Sequence, residues 1–205
     1  MHICIAGNIG AGKTTLTYLL AKYFGFEPMF EDNEQNPYLM DFYSDMPRWS
    51  FSLQVSFLQS RLKKLNMIRS EKRNVVQDRT IYEDAQIFAP NLHAMGLMEA
   101  RDFETYKGLF ETIAELVQPP DLLIYLRAGI PTLVEQIESR GRNYEDSIRL
   151  DYLKRLNERY EAWYETYRYG KKIDVSVGDI NFKDNPEDLG MIINRVKGEL
   201  YGLFS

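Results

Sequence analysis

The sequence predicts an α/β fold, a five-stranded parallel sheet with helices on both faces, and three observations carry that expectation. Short apolar runs at residues 3–6, 28–30, 74–77, 122–126 and 172–177 have the length of buried strands. Longer stretches with apolar residues at three- and four-residue steps lie between them, and that alternation is the pattern of a parallel sheet whose crossovers are helices. A glycine-rich turn follows the first run directly, where such a chain passes from strand to helix. With 205 residues, 44% of them hydrophobic, the chain has material for one sizeable core. No repeat, low-complexity tract or Gly/Ser linker divides it, so residues 1–205 are expected to form one domain.

The elements follow in order. The first strand holds the single cysteine, Cys4, inside Ile3-Cys4-Ile5-Ala6, so a buried, inert thiol is expected, and neither a disulfide nor a thiolate zinc site can form within one chain. A helix is expected over residues 15–24. The second strand, 28–30, delivers Glu31 at its end. Residues 49–69 place Phe51, Val55, Leu58, Leu62 and Leu65 on one apolar stripe, which reads as a core-facing helix. The third strand, 74–77, leads into Asp78-Arg79-Thr80. Pro119-Pro120 is expected to end a helix and Asp121 to open the fourth strand, since proline has no N–H for a helix ladder. An amphipathic stretch and the connector Ser139-Arg140-Gly141-Arg142-Asn143 follow. Residues 147–169 form a second long helix with Leu153, Leu156, Tyr160, Trp163 and Tyr167 inward, and the fifth strand closes the sheet.

The strongest chemical signal is Gly7-Asn8-Ile9-Gly10-Ala11-Gly12-Lys13-Thr14, a complete G-x-x-x-x-G-K-[ST] pattern between a predicted strand and a predicted helix. Glycines let the backbone curl until successive amide hydrogens face phosphate oxygens, and the helix that starts near Thr15 presents its positive end to the same anion. Lys13 is placed to reach the β- and γ-phosphates and Thr14 to ligate Mg2+. Glu31, at the carboxyl edge of the sheet near this loop, is a candidate general base, with Glu27, Asp32 and Glu34 as rival acids close by. Asp78 follows the third strand beside the loop, where it can act on the Mg2+ shell, directly or through water. Arg79 can steady acceptor, base or transferred phosphoryl group. Arg140 and Arg142 flank a glycine on a connector suited to a lid that neutralises phosphate charge and excludes water.

Taken together, GNIGAGKTTL, Glu31, RWSFSLQ, DRT with Asp84, and RGRN resemble the deoxynucleoside kinase family, and the segment FEDNEQNPY resembles its small bacterial members. The resemblance runs from residue 1 to about 170. It implies a P-loop kinase fold with an arginine-bearing lid at about residues 139–146, and ATP-dependent phosphorylation of a deoxynucleoside 5′-hydroxyl, with Mg2+ accompanying ATP. Deoxyadenosine is favoured, with deoxycytidine or deoxyguanosine as the other acceptors. By the same resemblance Glu31 is the general base, Tyr43 and Glu145 hold the sugar 3′-hydroxyl, Gln54 reads the base edge, Arg61 and Asp84 pair beneath the base, and Phe88 stacks on it. Gln54 and Arg61 are seven residues apart, two helical turns, so helix geometry alone puts them on one face. Four positions depart from the family pattern: Asp32-Asn33 replaces Pro-Val after the base residue, Asp78 stands for glutamate, and Gln136 replaces an additional lid arginine.

Two other readings stay open. A nucleoside monophosphate kinase of the thymidylate type shares these motifs and would need a cationic subsite for the acceptor phosphate, which Arg48 and Arg79 could supply. A nucleotide-dependent switch would need no acceptor at all. A net charge of -5 argues against a nucleic-acid partner, and no apolar stretch approaches a membrane span of ~20 residues, so a cytoplasmic enzyme is expected. The resemblance also implies a homodimer packed through helices, with the 51–65 stripe as a candidate surface.

Overall fold

In the computed structural model, which describes residues 1–31, 35–141 and 148–202, the five apolar runs form one parallel sheet. Its strands are β1 (His2–Gly7), β2 (Glu27–Met29), β3 (Val75–Asp78), β4 (Leu122–Arg127) and β5 (Lys171–Ser176), in the spatial order β2-β3-β1-β4-β5. Every pairing is parallel. The chain crosses from β3 over β1 to β4, so the strand order reverses beside β1. In open α/β sheets ligands bind at that point, outside the carboxyl ends of the strands.

Alternate residues of the central strands feed two separate cores, as a sheet covered on both faces requires. Ile3, Ile5, Leu122, Ile124 and Leu126 face α1 (Lys13–Phe24) and α9 (Pro186–Tyr201). Cys4, Ala6, Leu123 and Tyr125 face the cluster built by α3 (Met46–Glu71), α6 (Ala100–Ala114) and α8 (Leu150–Thr166). Cys4 is buried, and burial pushes its thiol well above its ordinary value, as expected of an inert cysteine. The remaining helices are α2 (Leu39–Ser44), α4 (Ile81–Glu83), α5 (Ala89–Ala94) and α7 (Ile130–Arg140).

Several boundaries differ from the expectations for physical reasons. Helix α1 starts at Lys13, because Gly12 takes a left-handed φ of 87° and ends the loop there. Helix α3 starts at Met46, where the Asp45 carboxylate caps Arg48 N at 3.3 Å and Pro47 fits the first turn. Helix α6 stops at Ala114, short of Pro119-Pro120, which lie in the connection that follows. The prolines therefore do not themselves end it.

The apolar stripe on α3 meets the core only in part: Leu58 is buried in it, and Phe51, Val55 and Leu65 pack against it from its edge. Phe51, Val55, Leu62 and Leu65 are only half-buried, whereas Ser50, Leu53, Gln54, Leu58 and Arg61 form the buried side. The helix turns three polar residues inward, and Arg61 meets two carboxylates there, an arrangement that local apolar spacing does not encode. On α8, by contrast, Leu153, Leu156, Tyr160 and Trp163 are all buried, with Tyr167 buried just past its end.

Candidate active site

The loop after β1 and the segment after β3 meet at the carboxyl edge of the sheet. Gly10 carries a φ of +84°, and a Cβ there would sit 2.7 Å from Leu133 O and 2.9 Å from Ile137 Cγ1, so only glycine fits. Lys13 Nζ donates to Asn8 O at 2.9 Å, drawing the loop around its own lysine. The Asn8 side chain turns away from the loop interior, donating to Leu153 O at 3.1 Å and Asn157 Oδ1 at 3.2 Å, so it ties the loop to α8. Burial, and next to it the Arg79 guanidinium, lower Lys13 to a pKa of about 8.

The register Ile5↔Asp78 brings the end of β3 level with the loop. Thr14 Oγ1 donates to Asp78 Oδ2 at 2.6 Å, while Asp78 Oδ1 is buried and has no hydrogen-bond partner. A buried carboxylate oxygen without a partner is costly unless a cation or water completes it. Among the described residues no three His, Cys, Asp or Glu side chains converge as a metal cage. This donor set fits a Mg2+ held by one hydroxyl and one carboxylate, with the remaining ligands supplied by a nucleotide and water.

Arg79 adopts a φ of 71°, unusual for a residue with a side chain and found chiefly where surrounding structure fixes it. Its N–H donates to Ile5 O at 2.8 Å and its carbonyl accepts from Gln77 Nε2 at 2.9 Å, which supply that constraint. The side chain pairs with Glu31 Oε1 at 3.0 Å, donates to Tyr160 Oη at 2.6 Å, and lies over the Phe88 ring at 4.8 Å from its centroid.

Behind Arg79 stands Glu83, fully buried, which sequence reasoning missed. Its Oε2 accepts from Thr80 N at 2.6 Å, and its Oε1 accepts from Gly7 N at 3.3 Å and Tyr160 Oη at 2.8 Å. The signal was present: Thr80-x-x-Glu83 is a capping box, and both of its reciprocal hydrogen bonds form. One carboxylate thus fastens the phosphate loop, the Asp78-Arg79-Thr80 turn and α8 together. A π-helical turn follows at Asp84–Phe88 and carries the two residues expected beside a base.

Glu31 faces inward. Arg61 Nη2 donates to Glu31 Oε1 at 2.6 Å and to Asp84 Oδ1 at 3.2 Å, and Arg61 Nε donates to Asp84 Oδ2. Burial alone would raise Glu31, but the Arg79, Arg61 and Lys13 charges outweigh it and hold the carboxyl well below the usual carboxylate range. Glu27, the rival nearest β2, is spent on Arg73 at the exposed side of the sheet. The rivals Asp32 and Glu34 lie outside the described residues.

These groups share one cleft that is open to solvent on one side. Ile9, Gly10, Lys13, Thr14 and Asp78 line the phosphate end. Glu31, Tyr43, Gln54, Arg79, Asp84 and Phe88 line the rest, and Arg140 reaches it from the end of α7. Gly7, Asn8, Ala11, Gly12 and Thr15 build the loop and first turn without lining the cleft wall. Arg61 does not line it either: it lies buried behind Glu31 and Asp84. Leu39, Phe42, Leu53, Phe57 and Tyr152 were not foreseen and supply the apolar walls. Gln54, which lines the cleft, has its Oε1 buried without a partner. The expected lid residue Arg142 and sugar residue Glu145 lie outside the described residues.

A phosphate loop at the switch point of a parallel sheet, joined to a cleft lined by both the loop lysine and the Glu31 carboxylate, defines the class: a P-loop kinase fold with a seat for a small acceptor. Comparison with known proteins narrows that class. The deoxynucleoside kinase family matches residues 3–200, and the chain belongs to this family, whose members phosphorylate deoxynucleosides. The deoxyadenosine/deoxycytidine kinase of Bacillus subtilis is 37% identical, covering 97% of this chain and 93% of that protein. The deoxyguanosine kinase of Lactobacillus johnsonii is 35% identical, covering 97% and 92%. A solved structure of deoxyadenosine kinase from M. mycoides with bound dATP superposes with a TM-score of 0.83 at 30% identity, covering 96% of this chain and all of that one. Among the described residues no helix is long and apolar enough to cross a membrane.

Proposed function

We propose that this kinase transfers the γ-phosphoryl group of ATP to the 5′-hydroxyl of a deoxynucleoside bearing an exocyclic amino group, with deoxyadenosine favoured over deoxycytidine and deoxyguanosine. The observation that carries this reading is the placement of Glu31, ionised and gripped by two arginines, in the same cleft as Lys13, Thr14 and Asp78. The amides of the loop and Lys13 hold the triphosphate. Thr14 and Asp78, directly or through water, would hold its Mg2+, which would supply charge neutralisation for the transferring phosphoryl group. Glu31 accepts the proton of the 5′-hydroxyl as that oxygen attacks, Arg79 steadies the acceptor end, and Arg140, with Arg142 beyond it, covers the phosphates and excludes water. Phosphoryl transfer asks mainly for alignment and charge stabilisation, which this arrangement offers without a covalent intermediate.

Base choice follows from two acceptors. Asp84 lines the cleft and Gln54 Oε1 is buried without a partner, so two acceptors stand ready for an exocyclic amino group on the base. Tyr43 and Glu145 hold the sugar hydroxyl and Phe88 stacks on the base. Relatives named for deoxyadenosine, deoxycytidine and deoxyguanosine support the amino-bearing class, and deoxyadenosine recurs among them. A monophosphate acceptor is disfavoured: Arg79 is engaged by Glu31 and Tyr160, and Arg48 lies over Trp49 outside the cleft. Turnover with ATP of the four tritiated deoxynucleosides and their monophosphates tests this reading. Fastest turnover of deoxyadenosine is expected, and a preference for thymidine or for any monophosphate contradicts it.

A further inference from the structure

The resemblance pairs Arg61 with Asp84 beneath the base, but its guanidinium divides its donors between two carboxylates. Nη2 serves both Glu31 Oε1, at 2.6 Å, and Asp84 Oδ1, at 3.2 Å, while Nε serves Asp84 Oδ2. Arg61 is 4% exposed and lies behind the cleft wall, whereas Glu31 and Asp84 both line it. The planar fork of arginine can join two carboxylates in one fixed geometry, which a lysine ammonium cannot reproduce. Aromatic packing adds to this fixation, since the guanidinium sits 5.5 Å from the Phe57 ring centroid.

We infer that Arg61 is a positioning residue for Glu31, linking the carboxylate that meets the acceptor hydroxyl to the carboxylate that meets the base. Holding Oε1 from behind fixes the rotation of the Glu31 carboxyl group and leaves its second oxygen for the substrate. The charged groups that face Glu31 come from four elements: Arg61 on α3, Arg79 after β3, Lys13 on α1, and the Asp84 carboxylate on the π-helical turn, which shares Arg61 with it. Arg79 approaches the same oxygen at 3.0 Å, so the two arginines clamp one atom from two sides. Removing Asp84 would leave Arg61 with Glu31 as its remaining carboxylate partner; removing Arg61 would strip one wall of the clamp. The two substitutions therefore act on Glu31 in opposite directions, although both break the same buried pair.

The inference rests on the proposed role of Glu31 but is tested apart from it, by carbon-13 NMR of protein labelled at the glutamate side-chain carboxyl, with the Glu31 signal assigned by its loss in Glu31→Gln. In Arg61→Met the Glu31 titration midpoint is expected to rise by about one pH unit or more, the usual effect of losing an opposite charge at hydrogen-bond range. In Asp84→Asn it stays at or below that of the unsubstituted protein. General loosening of the site would move both variants up together, and that result overturns the inference, as does an unmoved midpoint in Arg61→Met. Should Arg61→Met not fold, Arg61→Lys decides: its midpoint is expected to rise, by less, because a point charge cannot hold both carboxylates, and no rise overturns the inference. Turnover unaffected in Glu31→Gln would refute the general-base role while leaving these midpoints to speak for the linkage alone.

Discussion

Lys13 shows how a single residue ties ionisation to function. Burial and the neighbouring Arg79 bring its pKa down to about 8, against an ordinary 10.5. Two opposite pH effects follow. Between about pH 8 and 10.5 the unfolded chain keeps this proton and the folded protein does not, so Lys13 contributes stability that rises with pH across that window. Triphosphate affinity moves the other way, because the neutral amine loses its attraction for phosphate. Calorimetric titration with a non-hydrolysable ATP analogue at pH 7 and pH 9 should show clearly weaker binding at pH 9, and that difference should vanish in Lys13→Met. Glu31 gives the complementary case. Its carboxyl is held well below the usual range by Arg79 and Arg61, so acid titration of this group contributes no loss of activity at mildly acidic pH.

The elements succeed through their connections more than their interiors. Glu83 of α4 is fully buried and bonds the phosphate loop, the start of its own helix and the Tyr160 hydroxyl of α8. Arg79 Nη1 also lies 3.5 Å from Glu83 Oε1, so Glu83→Ala leaves Arg79 buried with one carboxylate partner fewer and is expected to cost about 3–5 kcal/mol, read as a lower urea midpoint. Gly10→Ala forces a Cβ against Leu133 O at a positive φ, and is expected to weaken triphosphate binding while destabilising the fold by about 1–3 kcal/mol. All five strands were legible within one or two residues because a buried parallel strand is a short apolar run, and the phosphate loop because its chemistry is local. The facing of α3 was not. Its apolar stripe predicted Phe51, Val55, Leu58, Leu62 and Leu65 as core; Leu58 is buried and Phe51, Val55 and Leu65 pack against the core at its edge, while Gln54 and Arg61 turn fully inward, Arg61 into ion pairs with residues 23 and 30 positions away. Glu83 was missed although Thr80-x-x-Glu83 spelled its cap, because a cap is usually a surface feature and here it is the centre of a brace.

For the molecule as a whole, the half-buried flank of α3 remains partly exposed, with Phe51, Val55 and Phe57 beside a groove reaching Tyr38. A homodimer that covers this flank is the assembly we expect, and Val55→Asp should shift the sedimentation coefficient from dimer to monomer. Placing residues 1–205 in one domain predicts a single cooperative unfolding transition with coincident fluorescence and circular dichroism midpoints. Most residues foreseen for the cleft line it, drawn from β-strand ends, α1, α2, α3, the π-helical turn and α7, although they span more than a hundred residues of sequence. Order and spacing of motifs carried that much; the apolar walls from Leu39, Phe42, Leu53 and Phe57 did not stand out, since such residues read as core anywhere. The account depends most on Glu31 taking the proton of the acceptor across the cleft from Lys13. Rapid-quench measurement of a single turnover, with ATP, Mg2+ and deoxyadenosine saturating, tests this directly in Glu31→Gln. Transfer slowed by roughly 10²–10⁴-fold with both substrates still bound is the predicted result, and transfer within about threefold of the unsubstituted enzyme would contradict it.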